Sequence, residues 1–407
     1  MRRPLCFLAV LVLSSCSSTE PTRTAPSVPA RASYLFVWSG DDDGKASDFL
    51  AVVDADSASP RYGQVVTSLA VPGPTGTPHH TEMEMPEGGI LAANAFGSGQ
   101  TFLFDLREPT HPRLVNSFGD FDGYTRPHTF TRLPNGNMLA TFQYHGGHDP
   151  KAKGGGLVEV DKHGQFVGAA SAMDPRFRKE LIRPYSLVVL PALDRVVSTN
   201  TAMNEADGSS RTVQVWRLSD LKLLHTLILP PGLRKGVSQY PGEPIAAADG
   251  KSVFIHTFSC GLYELSRIDS PRPVVSFLHA FDGKQCDVPV RLGNYWVQSI
   301  SSAHALVSLD ISDPKHPREV SRLTFDDQQK PHWIAADPAG RRIVLNSGEG
   351  GEHRVFIVEF DPSTGRLRLD ERFRDPGSNR PGVSWDGKSW RHGFKGNAFP
   401  HGTVFSR

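Results

Sequence analysis

The same pattern recurs in HTEMEMPEGGILA (residues 80–92), HTFTRLPNGNMLA (128–140) and HWIAADPAGRRIVL (332–345). In each stretch a proline follows the histidine by six residues, a glycine follows the proline by two, and an apolar run comes next. Tyr185, which is followed by Pro191, fits the same frame with tyrosine in place of histidine. A register kept at fixed offsets indicates a repeated structural unit.

Weaker matches extend the repeat to seven units, which start at residues 80, 128, 185, 244, 287, 332 and 401. Their spacing of 43 to 69 residues is typical of four-stranded propeller blades with loop insertions. The last unit has only one strand, whereas three N-terminal strands, Tyr34–Trp38, Phe49–Val53 and Val65–Val71, have no inner partner. We therefore predict an all-β fold, a seven-bladed β-propeller over residues 34–407 closed by N- and C-terminal strands, since closure removes exposed sheet edges.

The N-terminus resembles a bacterial lipoprotein signal. A basic start precedes an apolar run, Leu5 to Leu13, that is too short to span a bilayer. Small residues then lead to Cys16, so we expect removal of residues 1–15 and lipid on the Cys16 sulfur. An ordinary secretory signal with a chance cysteine is the alternative. Residues 16–33 would form a flexible tether, and Ser17 resembles an outer-membrane sorting signal, which predicts a lipid-anchored protein on the periplasmic face of the outer membrane.

The charge balance and the cysteines indicate which partners and which covalent links to expect. The chain has 44 Lys and Arg against 43 Asp and Glu, and no basic cluster stands out, which argues against a nucleic-acid partner. Membrane contact is expected through the lipid anchor only. Cys260 and Cys286 remain in the mature chain, and an oxidising compartment would allow a disulfide between them.

Five of the 16 histidines lie at or beside the start of an inner strand: His79, His80, His128, His332 and His401. A propeller would bring these five together at one end of its axis. Imidazole is a common ligand for copper, zinc and iron. Because the repeat is not expected to supply sulfur or carboxylate ligands, we predict copper, with zinc as second choice, rather than calcium or magnesium. The alternative is that these histidines bond backbone carbonyls around the channel.

Tyr185 and Asp287 occupy the axial starts of their own units. We predict that they move protons near the histidines, as catalytic residues. Plain lining of the channel is the alternative for both.

Several islands of sequence resemble, in order, the selenium-binding protein family, which includes methanethiol oxidases. They are the pair His79-His80, FLFD (102–105), the strand after His128, GGGLVEVD (154–161), Val215-Trp216, DISDP (310–314) and the terminal Pro400-His401. The resemblance implies a seven-bladed propeller with histidine-bound copper that oxidises methanethiol with O₂ and water to formaldehyde, hydrogen sulfide and hydrogen peroxide. The family's ligands would fall on His79, His80, His128 and His401. The family pattern does not require a histidine at His332, which is therefore an additional candidate ligand or a neighbour of the ligands.

Three function hypotheses follow. The first is a copper-dependent thiol oxidase of the cell envelope, acting on a small thiol and O₂. The second is a non-catalytic envelope propeller for metal binding or protein interaction, since propellers carry many unrelated functions. A third hypothesis, a lactonase-like hydrolase, needs carboxylate ligands that the axial positions are not expected to supply.

Overall fold

The computed structural model describes residues 33–146 and 154–407, and it is a ring of seven antiparallel sheets. The proposed signal segment, Cys16 and nearly all of the tether lie outside the described residues. Within these two ranges, no helix has the length and apolar character needed to cross a bilayer.

Blades one to six are consecutive along the chain, and each runs from the axis outward. The strands of blade one are Pro78–Thr81, Ile90–Ala95, Gln100–Asp105 and Arg113–Phe118. Those of blade two are Tyr124–Arg132, Met138–His145, Gly156–Val160 and Phe166–Ser171. Those of blade three are Pro184–Leu190, Arg195–Asn200, Thr212–Arg217 and Leu223–Ile228. The strands of blade four are Pro241–Ala246, Val253–Thr257, Gly261–Ser266 and Val274–Ala280. Those of blade five are Pro289–Leu292, Tyr295–Ile300, Ala305–Asp310 and Arg318–Thr324. Those of blade six are Pro331–Ala336, Arg342–Ser347, Arg354–Asp361 and Arg366–Leu369.

Blade seven combines both ends of the described chain. Its strands from the axis outward are Ala398–Phe405, Tyr34–Asp41, Phe49–Asp54 and Val65–Ala70. The two inner strands pair antiparallel. Inner strands of neighbouring blades contact one another around the whole ring, and the inner strand of blade seven contacts that of blade one. The predicted seven-bladed propeller and its closure by the two terminal segments are therefore confirmed.

A few short elements lie outside this pattern. The additional strands are Val383–Ser384, which pairs with Arg354–Asp361, and the pair Lys388–Ser389 and Lys395–Gly396. The 3-10 turns are Pro175–Phe177, Pro191–Leu193, Glu205–Asp207 and Ser301–Ala303.

The apolar core lies between adjacent blades rather than on the axis. Trp38 of blade seven, for example, packs against Phe102 and Phe104 of blade one, with ring centroids 5.7 Å and 5.6 Å apart. Similar buried apolar layers separate the other blades. Because the middle strands supply this packing, the inner strands are free to carry polar side chains to the axis.

Candidate metal centre

The inner strands of blades seven, one and two bring four histidines together. His79 and His80 are consecutive in blade one, His128 lies in blade two, and His401 lies in blade seven. We call these four residues the histidine cluster. The ring centroids of His79 and His80 are 4.3 Å apart, those of His80 and His128 are 4.3 Å apart, and those of His79 and His401 are 4.5 Å apart.

The tightest group within the cluster is formed by His79, His80 and His128. Each offers one ring nitrogen, and the three atoms lie within 4.8 Å of one another. In the part of the chain that the structure describes, this is the group found with a spacing that could hold a metal ion. His401 stacks on His79, but it lies outside this closest group. His332 contacts the cluster through His401, and the ring centroids of these two residues are 4.9 Å apart.

Each residue of the cluster has one buried ring nitrogen without a hydrogen-bond partner. These atoms are His79 Nδ1, His80 Nε2, His128 Nε2 and His401 Nδ1. Leaving a buried polar atom unsatisfied costs about 1–3 kcal/mol. A metal ion could satisfy the nitrogens of His79, His80 and His128, which lie close enough to share one ion. An all-imidazole donor set fits copper or zinc. The residues present therefore fit such an ion, although their assignment as ligands stays a prediction.

Hydrogen bonds to the other ring nitrogens set the orientation of two imidazoles. Nδ1 of His128 donates to the backbone carbonyl of Tyr185 at 2.7 Å, which leaves a lone pair on Nε2. Nδ1 of His80 lies 3.2 Å from the hydroxyl of Thr129. The alternative role for these histidines, hydrogen bonding to backbone carbonyls, therefore accounts for Nδ1 of His128. It does not account for Nε2 of His128, which has no partner.

Burial keeps the cluster neutral. Desolvation lowers the pKa of His79, His80 and His401 well below the ordinary value, and the neighbouring imidazoles lower it further. Desolvation also lowers the pKa of His128 to about 4, although the Tyr185 carbonyl opposes this shift. Neutral imidazole is the form that ligates a metal, so the cluster is prepared for binding at neutral pH.

His332 differs from the other four histidines because it has an acidic partner. Its Nδ1 lies 3.0 Å from Oδ1 of Asp287. Burial lowers the pKa of His332, but the Asp287 carboxylate outweighs burial and raises it above the ordinary value. Burial by itself raises the pKa of Asp287, but the interaction with His332 is stronger, so the pKa of Asp287 is lowered overall. The pair therefore favours an imidazolium beside a carboxylate, which is a poor state for a ligand and a good one for a proton donor.

Tyr185 lies against the cluster. Its ring centroid is 4.1 Å from that of His128 and 5.9 Å from that of His80. Burial raises its pKa well above the ordinary value, and the carboxylates of Glu243 and Asp287 raise it further. Its hydroxyl therefore stays protonated. The predicted roles of Tyr185 and Asp287 in proton transfer stay predictions, and both residues lie where such a role is possible.

Sequence reasoning missed two residues at the axis, Glu243 and His256. Both are buried, and Nε2 of His256 lies 2.6 Å from Oε2 of Glu243. Glu243 and Asp287 each pair with a histidine outside the closest group, so the expectation that the repeat supplies no carboxylate ligand stays a prediction. A signal was present, because Glu243 immediately precedes the predicted start of the fourth unit at residue 244.

Cys260 and Cys286 form a disulfide in the structure. It joins the turn after the second strand of blade four to the residue before Asp287. The backbone N–H of Cys286 also donates to the carbonyl of Phe258 at 3.0 Å. The disulfide thus fixes the segment that carries Asp287 to the neighbouring blade.

Fold and site together define a class: a seven-bladed propeller with a histidine cluster at its axis. No protein-family model matches the sequence. A stretch of 149 residues is 31% identical to methanethiol oxidase from Hyphomicrobium sp, and the match covers 35% of this chain and 33% of that protein. The chain thus matches about a third of the length of this curated relative. It is distantly related to the selenium-binding protein and methanethiol oxidase family.

Solved structures support the fold. A hypothetical selenium-binding protein from Sulfolobus tokodaii superposes with a TM-score of 0.75 at 15% identity, covering 93% of this chain and 94% of that one. A periplasmic gluconolactonase from Pseudomonas aeruginosa superposes with a TM-score of 0.62 at 14% identity, covering 92% and 99%. At these identities the likeness establishes the propeller architecture alone.

Proposed function

We propose that this protein is a copper-dependent thiol oxidase similar to methanethiol oxidase, which converts methanethiol, O₂ and water to formaldehyde, hydrogen sulfide and hydrogen peroxide. The observation that carries the proposal is the set of buried, unpartnered ring nitrogens in the histidine cluster. The distant relationship to methanethiol oxidase supports the choice of substrate.

The cluster supplies the ligands in this proposal. His79 Nδ1, His80 Nε2 and His128 Nε2 would hold the metal, with His401 Nδ1 as a fourth ligand. Bound copper would hold the substrate sulfur as thiolate and pass its electrons to O₂. Zinc, the second choice, has no redox chemistry and would favour a binding role instead.

Aromatic side chains limit the space around the cluster. The ring centroid of Phe96 is 6.0 Å from that of His79 and 5.8 Å from that of His128. Trp333 meets His80 edge-on at 4.9 Å, and its indole N–H already donates to the carbonyl of Thr403. In this proposal the aromatic rings favour a substrate with a small apolar substituent, such as a methyl group.

The pair of His332 and Asp287 supplies protons in this proposal. Two products, hydrogen sulfide and hydrogen peroxide, each need protons to leave as neutral molecules. Asp287 orients Nδ1 of His332 and favours its protonated form. His332 therefore acts as a proton donor beside His401 rather than as a fifth ligand.

The test is release of hydrogen sulfide from methanethiol by tag-free, copper-loaded protein, with O₂ consumption measured in parallel. We expect turnover by the wild type, and loss of both copper and turnover in His79→Ala. His316→Ala is the matched control, because the His316 side chain is 80% exposed on a surface turn. Full copper occupancy without turnover of methanethiol would exclude the oxidase and leave the metal-binding propeller as the function.

We also propose that the protein is lipid-anchored through Cys16 on the periplasmic face of the outer membrane. The lipoprotein-like sequence that ends at Cys16 supports this location. Cys16→Ser should move the protein from the membrane fraction to the soluble fraction. A wild-type protein that is already soluble after cell lysis would contradict the anchor.

A further inference from the structure

We propose that Phe96 sets the upper size limit of the thiol that binds at the histidine cluster, and that Arg126 positions Phe96 for this role. The inference rests on the proposed function and deepens it, because it assigns the selection of small thiols to one side chain and to the residue that holds it in place.

Phe96 lies at the boundary between the histidine cluster and solvent. Its ring centroid is 6.0 Å from that of His79 and 5.8 Å from that of His128, and both histidines are candidate ligands. Phe96 is partly exposed, whereas Trp333 and Tyr185, two other aromatic residues that contact the cluster, are buried. Phe96 can therefore meet a molecule that arrives from solvent.

Backbone contacts fix the turn that carries Phe96. The N–H of Phe96 donates to the carbonyl of Thr77 at 2.9 Å, and the N–H of Gly97 donates to the carbonyl of Gly76 at 2.9 Å. A Cβ at residue 97 would lie 2.2 Å from that carbonyl oxygen, so this close approach requires glycine. Because residues 76 and 77 lead directly to the strand that carries His79, the turn and this candidate ligand are held together.

Arg126, on the inner strand of blade two, holds the same turn from the other side. Its guanidinium carbon lies 5.5 Å from the centroid of the Phe96 ring, which is a cation–π contact. Nη1 of Arg126 also donates to the backbone carbonyls of Phe96 and Gly97. Arg126 has a left-handed backbone conformation, with a φ of 59°, which is unfavourable for a residue other than glycine. The fold thus retains an unfavourable conformation at the residue that holds Phe96.

These contacts make the Phe96 ring a fixed wall. A sulfur bound at the cluster brings its substituent near this ring, because the ring lies beside two of the three closest imidazoles. The turn is held by backbone hydrogen bonds and by a guanidinium, so it does not move aside easily. Without such a wall a larger apolar substituent binds more tightly, since it buries more apolar surface. A preference for the smaller thiol therefore identifies a steric limit.

The test compares the binding of methanethiol and tert-butanethiol to zinc-loaded protein, because zinc has no redox chemistry and the thiols are not oxidised. Calorimetric titration gives the two dissociation constants. We expect the wild type to bind methanethiol more than about tenfold more tightly than tert-butanethiol. Phe96→Ala should reduce this ratio by about tenfold or more, and it should bind tert-butanethiol more tightly than the wild type does. A variant that merely disturbs the fold would weaken the binding of both thiols.

The positioning role of Arg126 has its own readout. Arg126→Ala should reduce the ratio in the same direction as Phe96→Ala, but by less, because the turn keeps its backbone hydrogen bonds. The double variant should match Phe96→Ala alone, since Arg126 acts through Phe96, whereas additive effects would overturn this role. Arg318→Ala is the matched control and should retain the wild-type ratio, because the Arg318 side chain is 75% exposed on the outermost strand of blade five.

The outcomes separate this inference from the proposed function. Phe96→Leu, which should change the ratio in the same direction by a smaller factor, serves if Phe96→Ala does not fold. Equal ratios in wild type and Phe96→Ala, or tighter binding of tert-butanethiol than of methanethiol by the wild type, would overturn the inference while leaving the oxidase in place. Failure of methanethiol to bind any metal-loaded wild type would overturn the proposed function, and this inference with it.

Discussion

Nδ1 of His128 donates a hydrogen bond to the backbone carbonyl of Tyr185 at 2.7 Å, across the boundary between blades two and three. The acceptor is a backbone atom, so its position is fixed by the strand and does not depend on the tyrosine side chain. This bond fixes the tautomer of His128 and directs Nε2 to the cluster. One blade therefore orients a candidate ligand that the neighbouring blade carries, as partners of ligating histidines commonly do.

His128→Ala should lower the affinity for copper by more than about tenfold, because it removes one of the three closest nitrogens. The measurement is elemental analysis after dialysis against a competing chelator, with His316→Ala as control. Unchanged copper content in His128→Ala would mean that the metal is held elsewhere.

The stability of the metal-free protein should fall as the pH is lowered from neutral. The folded state keeps His79, His80, His128 and His401 neutral, whereas the same residues in the unfolded chain take up protons near pH 6.5. Between about pH 6.5 and 4 the unfolded state therefore binds more protons, which favours unfolding. His332, whose pKa is raised, acts in the opposite direction, but it is one residue against four.

Thermal unfolding of the metal-free protein at pH 7 and pH 5 checks this pH dependence. We expect a lower Tm at pH 5, and a smaller difference for His128→Gln, which removes one of the titrating groups. Equal pH dependence in wild type and variant would contradict the assignment of a low pKa to His128.

Gly402→Ala should destabilise the protein by about 1–3 kcal/mol, because the added Cβ has no room. It would lie 2.5 Å from the backbone nitrogen of Thr81 and 2.7 Å from the carbonyl oxygen of His79. Backbone atoms cannot move aside as a flexible side chain can, so the strand carrying His401 must shift away from His79. Chemical denaturation and copper titration measure the two effects. Gly88→Ala, whose Cβ would meet nothing within 4 Å, should change neither.

Asp287→Asn should lower the pKa of His332, because it removes the carboxylate that raises it. NMR titration of the histidine rings in the metal-free protein measures this shift. In the copper-loaded protein we expect slower release of hydrogen sulfide with unchanged copper content. Loss of copper in this variant would instead assign a structural role in the metal site to the pair.

Replacing both Cys260 and Cys286 by serine should lower stability by about 2–4 kcal/mol, since the disulfide closes a loop across 26 positions. Reduction of the wild type should give a similar loss, measured by chemical denaturation with and without reductant. A reductant-insensitive wild type whose thiols react with a labelling reagent would show that the disulfide does not form in solution.

The repeat pattern was sufficient to predict the fold. Each blade is a local unit whose proline, glycine and apolar run recur at fixed offsets, so the seven inner strands and the closing pair could be located from the residues alone. The same register placed His80, His128, His332 and His401 at equivalent positions, which predicted their convergence. Glu243 lay one residue outside the predicted start of its unit, and its contact with His256 was therefore missed.

Contacts between residues far apart in the chain were decided only by the tertiary structure. The pairing of His332 with Asp287 spans 45 positions and sets His332 apart from the four neutral histidines. The contact of His256 with Glu243 depends on an irregular strand register and on the space that Gly242 leaves. The sequence determined which side chains reach the axis, because that follows from local strand periodicity. The fold decided which ring nitrogens stay without partners and which histidine carries a proton, because burial and neighbouring charges depend on how the blades pack together.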